Sequence, residues 1–132
     1  MLVHIALTKA EERKLGARVS DCVHRAVASA LDLGEEGCFQ IVTEQEPGLR
    51  AATLQAHTEQ TNATAVVLIY PTEQISDRKK RILYGRIGEG LEKERLIGRS
   101  DLVVGIIEQP YRNWYYGGAA MKLQQMMASG LV

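Results

Sequence analysis

Apolar residues along the chain form two kinds of pattern. Four short runs are apolar and β-branched almost throughout, which is typical of strands buried on both faces; they cover residues 2–7, 39–43, 65–70 and 102–107. Two longer segments place apolar residues three and four positions apart, which predicts amphipathic helices; these residues are Leu15, Val19, Cys22, Val23, Ala26, Val27, Ala30 and Leu31, and then Ile82, Leu83, Ile87 and Leu91. Gly34 is the predicted stop of the first helix, and Ser76 is the predicted N-cap of the second.

The order strand, helix, strand occurs twice. Equivalent positions lie 64 residues apart, as in Val3 and Val67 (67 − 3), Val23 and Ile87 (87 − 23), and Glu44 and Glu108 (108 − 44). A constant spacing across three elements indicates two copies of one β-α-β unit, whose strands normally pair in parallel. We therefore predict an α+β fold, a two-layer α/β arrangement with a four-stranded mixed sheet and both helices on one face.

The predicted boundaries form a single domain over residues 1–132. A first unit covers 1–44, a polar connector 45–64, a second unit 65–108 and an aromatic tail 109–132. Because the strands are apolar on both faces and the helices cover only one, the other face needs a cover. Association with further copies is the simplest cover, so we predict an obligate oligomer.

Composition limits the classes of function. Lys+Arg and Asp+Glu both number 16, and a balanced charge argues against a nucleic-acid or membrane-surface protein. No apolar run approaches the roughly 20 residues of a membrane span, and no signal-peptide pattern is present, so we expect a cytoplasmic protein. Cys22 and Cys38 are predicted to be reduced, small buried residues, and no Cys/His spacing suits zinc. We expect no metal and no cofactor.

Several short motifs occur in a particular order. They are the Leu-rich opening strand, His24 in an Ala/Val-rich helix, Phe39-Gln40, Ser76 before Lys79-Lys80, Tyr84, and Asn113-Trp114-Tyr115-Tyr116-Gly117. Together with the internal repeat, they resemble the tautomerase superfamily, in particular its branch with malonate semialdehyde decarboxylase and cis-3-chloroacrylic acid dehalogenase. The last motif is similar to that branch's Asp-Trp-Ser-Phe-Gly.

The resemblance implies an assembly and a site. Members form trimers whose sheets line a central barrel and whose helices face outward. Their active site lies at the start of the first strand, in a pocket shared with a neighbouring chain. There an amino-terminal proline acts as base or acid, arginines bind a substrate carboxylate, and aromatic side chains, here Trp114 and Tyr116, form an apolar wall. Phe39 belongs to the same predicted pocket.

This sequence departs from the resembled pattern at the catalytic position. Met1 stands in the place of the proline, and bulky Leu2 leads us to expect that Met1 is retained. A primary α-amine has an ordinary pKa of about 7.7–8.0, and an apolar pocket lowers it because desolvation disfavours the ammonium. Such an amine can move protons or form an imine. A misassigned start is the remaining explanation of the missing proline.

The carboxylate-binding positions also differ. The stretch that matches the arginines is Pro71-Thr72-Glu73-Gln74-Ile75, and the matching water-polarising acid is Gly37. Glu73 and Ile75 therefore stand on the predicted pocket wall, and Glu73 would repel a carboxylate. Glu35 or Glu36 is a possible replacement acid, and Lys9, Arg50 and Arg112 are possible replacement cations. His4 and His24 are interpreted as structural.

Two functions remain open. The first is a divergent tautomerase-like or decarboxylase-like enzyme of weak or altered activity, in which the Met1 amine transfers protons on a small carbonyl or enol acid. The alternative is a non-catalytic protein of the same fold that binds a small molecule or a partner chain, for example as a subunit of a mixed trimer. A homotrimer is the expected assembly in the first case.

Overall fold

The six predicted elements are present in the computed structural model, which describes residues 1–8, 14–32, 38–45 and 63–115. In chain order they are β1 (Leu2–Thr8), α1 (Leu15–Leu31), β2 (Phe39–Gln45), β3 (Ala65–Tyr70), α2 (Asp77–Lys93) and β4 (Leu102–Ile106). Short 3-10 helices lie at Arg99–Asp101 and Tyr111–Asn113. No helix in these ranges is long and apolar enough to cross a membrane.

The four strands form one mixed sheet in the order β2-β1-β3-β4. β1 and β2 are parallel, β3 and β4 are parallel, and the central pair β1 and β3 is antiparallel. Each unit has the same internal register, since Leu2 pairs with Phe39 and Ala65 with Leu102, both 37 positions later (39 − 2 and 102 − 65). The predicted sheet and its β-α-β repeat are confirmed.

Both helices cover one face of the sheet. Alternate residues of the two central strands point toward them and are at most 2% exposed; these are Val3, Ile5, Leu7, Ala65, Val67 and Ile69. From the helix side, Val19, Val23, Val27, Leu83, Ile87 and Leu91 are fully buried against the same layer. The amphipathic stripes seen in the sequence thus form the core.

Ser76 fixes the start of α2, and Asp32 fixes the end of α1. Ser76 is the N-cap of α2, and its side chain accepts a hydrogen bond from the Lys79 N–H at 3.2 Å, as predicted. α1 ends at Leu31, before the predicted stop. Asp32 closes it in the left-handed conformation, with φ of 54°. Aspartate tolerates that conformation better than most residues, so the helix ends there without a glycine; Gly34 lies outside the described residues.

The opposite face of the sheet is apolar and exposed; we call it the open face. Residues paired directly across neighbouring strands share a face, so the open face contains Leu2, His4, Ala6, Thr8, Phe39, Ile41, Thr43, Gln45, Val66, Leu68, Tyr70, Val103 and Gly105. It includes the most exposed large hydrophobic residues of the strands, Phe39 (67%), Ile41 (47%), Val66 (37%) and Val103 (37%). Neither α1 nor α2 lies on this face.

Candidate active site

Met1 is held at the start of β1 by the neighbouring strand. The Phe39 N–H donates to the Met1 carbonyl at 2.9 Å, and the parallel register, extended by one residue, places Met1 opposite Cys38. Met1 belongs to the hydrophobic core and is only 6% exposed. Its α-amine therefore lies at the end of the sheet with an apolar side chain beneath it.

The surroundings of Met1 change the chemistry of its amine. Burial lowers the pKa of the Met1 α-amine from its ordinary value of 8.0, and the charge of an ionised Cys38 partly opposes that shift. Burial also raises the pKa of the Cys38 thiol, which the nearby ammonium partly offsets. A larger share of the amine is consequently neutral near pH 7, the form that accepts a proton or attacks a carbonyl.

Cys38 was not predicted as a site residue. Its Sγ lies 4.0 Å from the Gln40 Oε1. The amide nitrogen of Gln40 donates to the carbonyl and hydroxyl oxygens of Ser20 at 2.8 Å and 2.7 Å, so α1 fixes the strand that carries Cys38. The position of the Cys38 thiol beside Met1 is set by the register between β1 and β2, which the apolar runs alone do not specify.

The segment after β3 is attached to the end of β4. The Ile75 N–H donates to the Glu108 Oε2 at 3.3 Å, and the other oxygen of Glu108 accepts from the Lys80 ammonium. The Lys80 hydrogen bond and then the Ile75 N–H lower the pKa of the Glu108 carboxyl. Ile75 is half-buried and Glu73 is exposed. Glu108 entered the sequence reasoning only through its repeat partner Glu44, and its role in this segment was missed.

Trp114 lies at the same end of the sheet as Met1. Its ring contacts the ring of Tyr70 edge-on, with centroids 5.7 Å apart and an interplanar angle of 67°. Tyr70 in turn pairs with Leu2 on β1. Trp114 therefore contacts Tyr70, and Tyr70 pairs with Leu2, the residue next to Met1.

The remaining predicted site residues are more scattered. The Phe39 side chain belongs to the open face, while its backbone holds Met1. Arg112 is exposed in the last 3-10 helix. The other proposed residues lie outside the described ranges; they are Tyr116, Lys9, Arg50, Glu35, Glu36 and Gly37.

The histidines and cysteines have no metal-binding arrangement in the described ranges. His4 Nε2 lies 3.1 Å from the Thr43 hydroxyl, and His24 is half-buried on α1. Both cysteines are free thiols. Among the residues described, no three His, Cys, Asp or Glu side chains are placed to hold a metal ion.

Comparisons with known proteins agree on one fold. A curated protein of Bacillus subtilis (strain 168), "Probable tautomerase YrdN", is 25% identical over 116 residues, which is 88% of this chain and 90% of that protein. The solved structure of FG41 malonate semialdehyde decarboxylase inhibited by 3-bromopropiolate superposes with a TM-score of 0.79 at 20% identity, covering 100% of this chain and 98% of that one.

A second solved structure, the asymmetric trimer of a fused 4-OT, has a TM-score of 0.73 at 13% identity. It covers 94% of this chain and 98% of its own. No family model matches the sequence. At these identities the solved structures show a shared fold, and the curated relative extends the likeness over most of the sequence.

Proposed function

We propose that this chain is a divergent member of the tautomerase superfamily in which the Met1 α-amine transfers protons on a small carbonyl or enol acid. The likeness to a probable tautomerase and to malonate semialdehyde decarboxylase supports the membership. The observation that carries the proposal is the buried amine at the start of β1, whose pKa is lowered by desolvation. It stands at the end of the sheet where Trp114 packs on Tyr70.

The proposed chemistry uses the amine in both protonation states. The neutral amine accepts the proton next to a carbonyl group, and the resulting ammonium returns a proton to the enol at the other atom. A lowered pKa keeps both forms accessible near neutral pH, and the half-buried surroundings reduce competition from water. The reaction is altered relative to the resembled enzymes because Glu73 and Ile75, rather than cations, occupy the segment after β3.

The test begins with the intact mass of the purified protein, which establishes that Met1 is the first residue. Keto–enol interconversion of phenylpyruvate is then measured with native protein and with protein acetylated at the α-amine. We expect the native activity to fall at least about tenfold on acetylation, because the amide nitrogen has no basic lone pair.

A variant with proline inserted after Met1 serves as the matched control, since removal of the initiator leaves proline in the place of Met1. If native protein has no turnover and the proline variant gains it, the Met1 amine is not a working base. Activity that survives acetylation would equally contradict the proposal.

The alternative, a non-catalytic protein of this fold, is favoured by a different observation. The Met1 side chain is part of the hydrophobic core and only 6% exposed, as expected if Met1 serves packing alone. In that case the chain binds a small molecule or contributes to a mixed trimer. Native mass spectrometry of the protein purified from its own host distinguishes a mixed trimer from a homotrimer, because only the mixed trimer contains a second kind of chain.

The assembly we propose is a trimer that covers the open face. The solved relative described as a trimer shares the fold over 94% of this chain. An exposed apolar sheet face of this kind favours association, because its burial removes hydrophobic area from water.

A further inference from the structure

The centre of the open face contains one histidine. His4 lies on β1, one of the two central strands, and its direct partners in the ladder are Ile41 on β2 and Leu68 on β3. Its ring is half-buried, and Nε2 lies 3.1 Å from the Thr43 hydroxyl. The imidazole is therefore held within an apolar surface.

Few other groups on the described open face can carry charge. β2 contributes Phe39, Ile41, Thr43 and Gln45, and β4 contributes Val103 and Gly105, none of which titrates. β3 contributes Val66, Leu68 and the phenol of Tyr70, and β1 contributes Leu2, Ala6 and Thr8 besides His4. Glu44 projects to the helix side, where its carboxylate approaches Gly16. No carboxylate on the described strands shares the open face with His4.

We propose that His4 makes the self-association of this chain depend on pH: copies assemble through the open face while the imidazole is neutral and separate when it is protonated. The inference rests on the proposed trimer. The occupant is a further copy of this chain because the described part of the face is largely apolar and carries no carboxylate, and a solved relative of the same fold is a trimer.

The physical reason is the cost of burying an unpaired charge. A neutral imidazole bonded to Thr43 can enter an apolar interface, whereas an imidazolium without a carboxylate partner loses its hydration. Separated chains therefore bind more protons than assembled chains, so association weakens as pH falls. By linkage, each proton that must leave on assembly changes the association constant by up to roughly tenfold per pH unit, and a trimer contains three His4 side chains.

The experiment is analytical ultracentrifugation of the wild type, His4→Gln and His24→Gln over a concentration series at pH 7.5 and 5.5. Glutamine is neutral at both pH values and can still bond Thr43, and His24 on α1 is the control because it lies away from the open face. Circular dichroism at both pH values establishes that each variant is folded. We expect the association constant of the wild type and of His24→Gln to fall by at least roughly a hundredfold at pH 5.5, and that of His4→Gln to change by less than about threefold.

Three results would overturn the inference. A wild-type trimer equally stable at both pH values contradicts His4 control and leaves the trimer standing. The same fall in His4→Gln as in the wild type assigns the pH dependence to another group. A wild-type monomer at pH 7.5 contradicts the trimer itself, and with it the role of His4.

Discussion

At the scale of single residues, the two cysteines differ in access and in the charges beside them. Cys22 is 3% exposed, and burial together with a hydrogen bond to Glu94 raises the pKa of its thiol from 9.0 to about 11. Burial also raises the pKa of the half-buried Cys38 thiol, but the neighbouring Met1 ammonium partly offsets that shift, and no carboxylate in the described ranges adds a hydrogen bond to it. Since the thiolate is the reactive form, the two should differ in alkylation rate.

We expect iodoacetamide at pH 8 to modify Cys38 at least about tenfold faster than Cys22. Peptide mass spectrometry over a time course measures both rates in one sample. A Cys38→Ser variant should retain only the slow reaction. Faster modification of Cys22 would mean that its contact with Glu94 opens easily in solution.

The Met1 amine makes a second prediction at this scale, through stability. Its pKa in the folded chain lies below the ordinary value of 8.0 because burial disfavours the ammonium. Between those two values the unfolded chain binds more protons than the folded chain, so the free energy of unfolding falls as pH drops through this window. Once the folded amine is protonated as well, the fall stops.

Urea denaturation at pH 8.5, 7.5 and 6.5, with native and α-acetylated protein, isolates this contribution. The acetylated chain has no titrating α-amine. The free energy of unfolding of the native protein, relative to that of the acetylated protein, should therefore fall as pH drops. Parallel pH dependences would show that the amine is not buried in the folded chain.

At the scale of elements, Glu108 connects the end of β4 with the segment before α2. Its carboxylate accepts from the Ile75 N–H and the Lys80 ammonium. Replacing it by Ala removes both acceptors, so we expect amide hydrogen exchange at Ile75 to become several-fold faster. Glu108→Gln keeps one neutral acceptor and should lie between the wild type and the alanine variant. Glu89→Ala, on the exposed side of α2, is the control, and unchanged exchange in Glu108→Ala would contradict this role.

The elements also show how far sequence reasoning reaches. Periodicity located all four strands and both α-helices but neither short 3-10 helix, and the ends of the elements depend on tertiary contacts. β1 continues to Thr8 because its N–H donates to the Thr64 carbonyl at 3.1 Å and its hydroxyl accepts from the Thr64 N–H at 2.9 Å. α1 ends where Asp32 turns left-handed. In the site, Cys38 and Glu108 were missed because cross-strand register and side-chain hydrogen bonds have no periodic signal.

At the scale of the whole molecule, the repeat produces one continuous surface. The two β-α-β units join through the antiparallel pair β1 and β3, so both helices lie on one side and all four strands contribute to the other. Each unit contributes half of the open face, and the pairing of β1 with β3 unites the two halves into one apolar surface. The same duplication that builds the core therefore creates the surface that the proposed trimer covers.

Val66 tests that conclusion because it lies inside the open face, opposite Ala6 on β1 and Val103 on β4. A glutamate there would have to enter an apolar interface on assembly, which costs far more than the apolar contact it replaces. We expect Val66→Glu to be monomeric and the wild type to be trimeric at about 10 µM. Size-exclusion chromatography with light scattering measures both. Tyr84→Glu on α2 is the matched control, because Tyr84 is similarly exposed, at 40% against 37% for Val66, but lies on the helix layer. A trimeric Val66→Glu, or dissociation by Tyr84→Glu alone, would place the interface on the helices instead of the sheet.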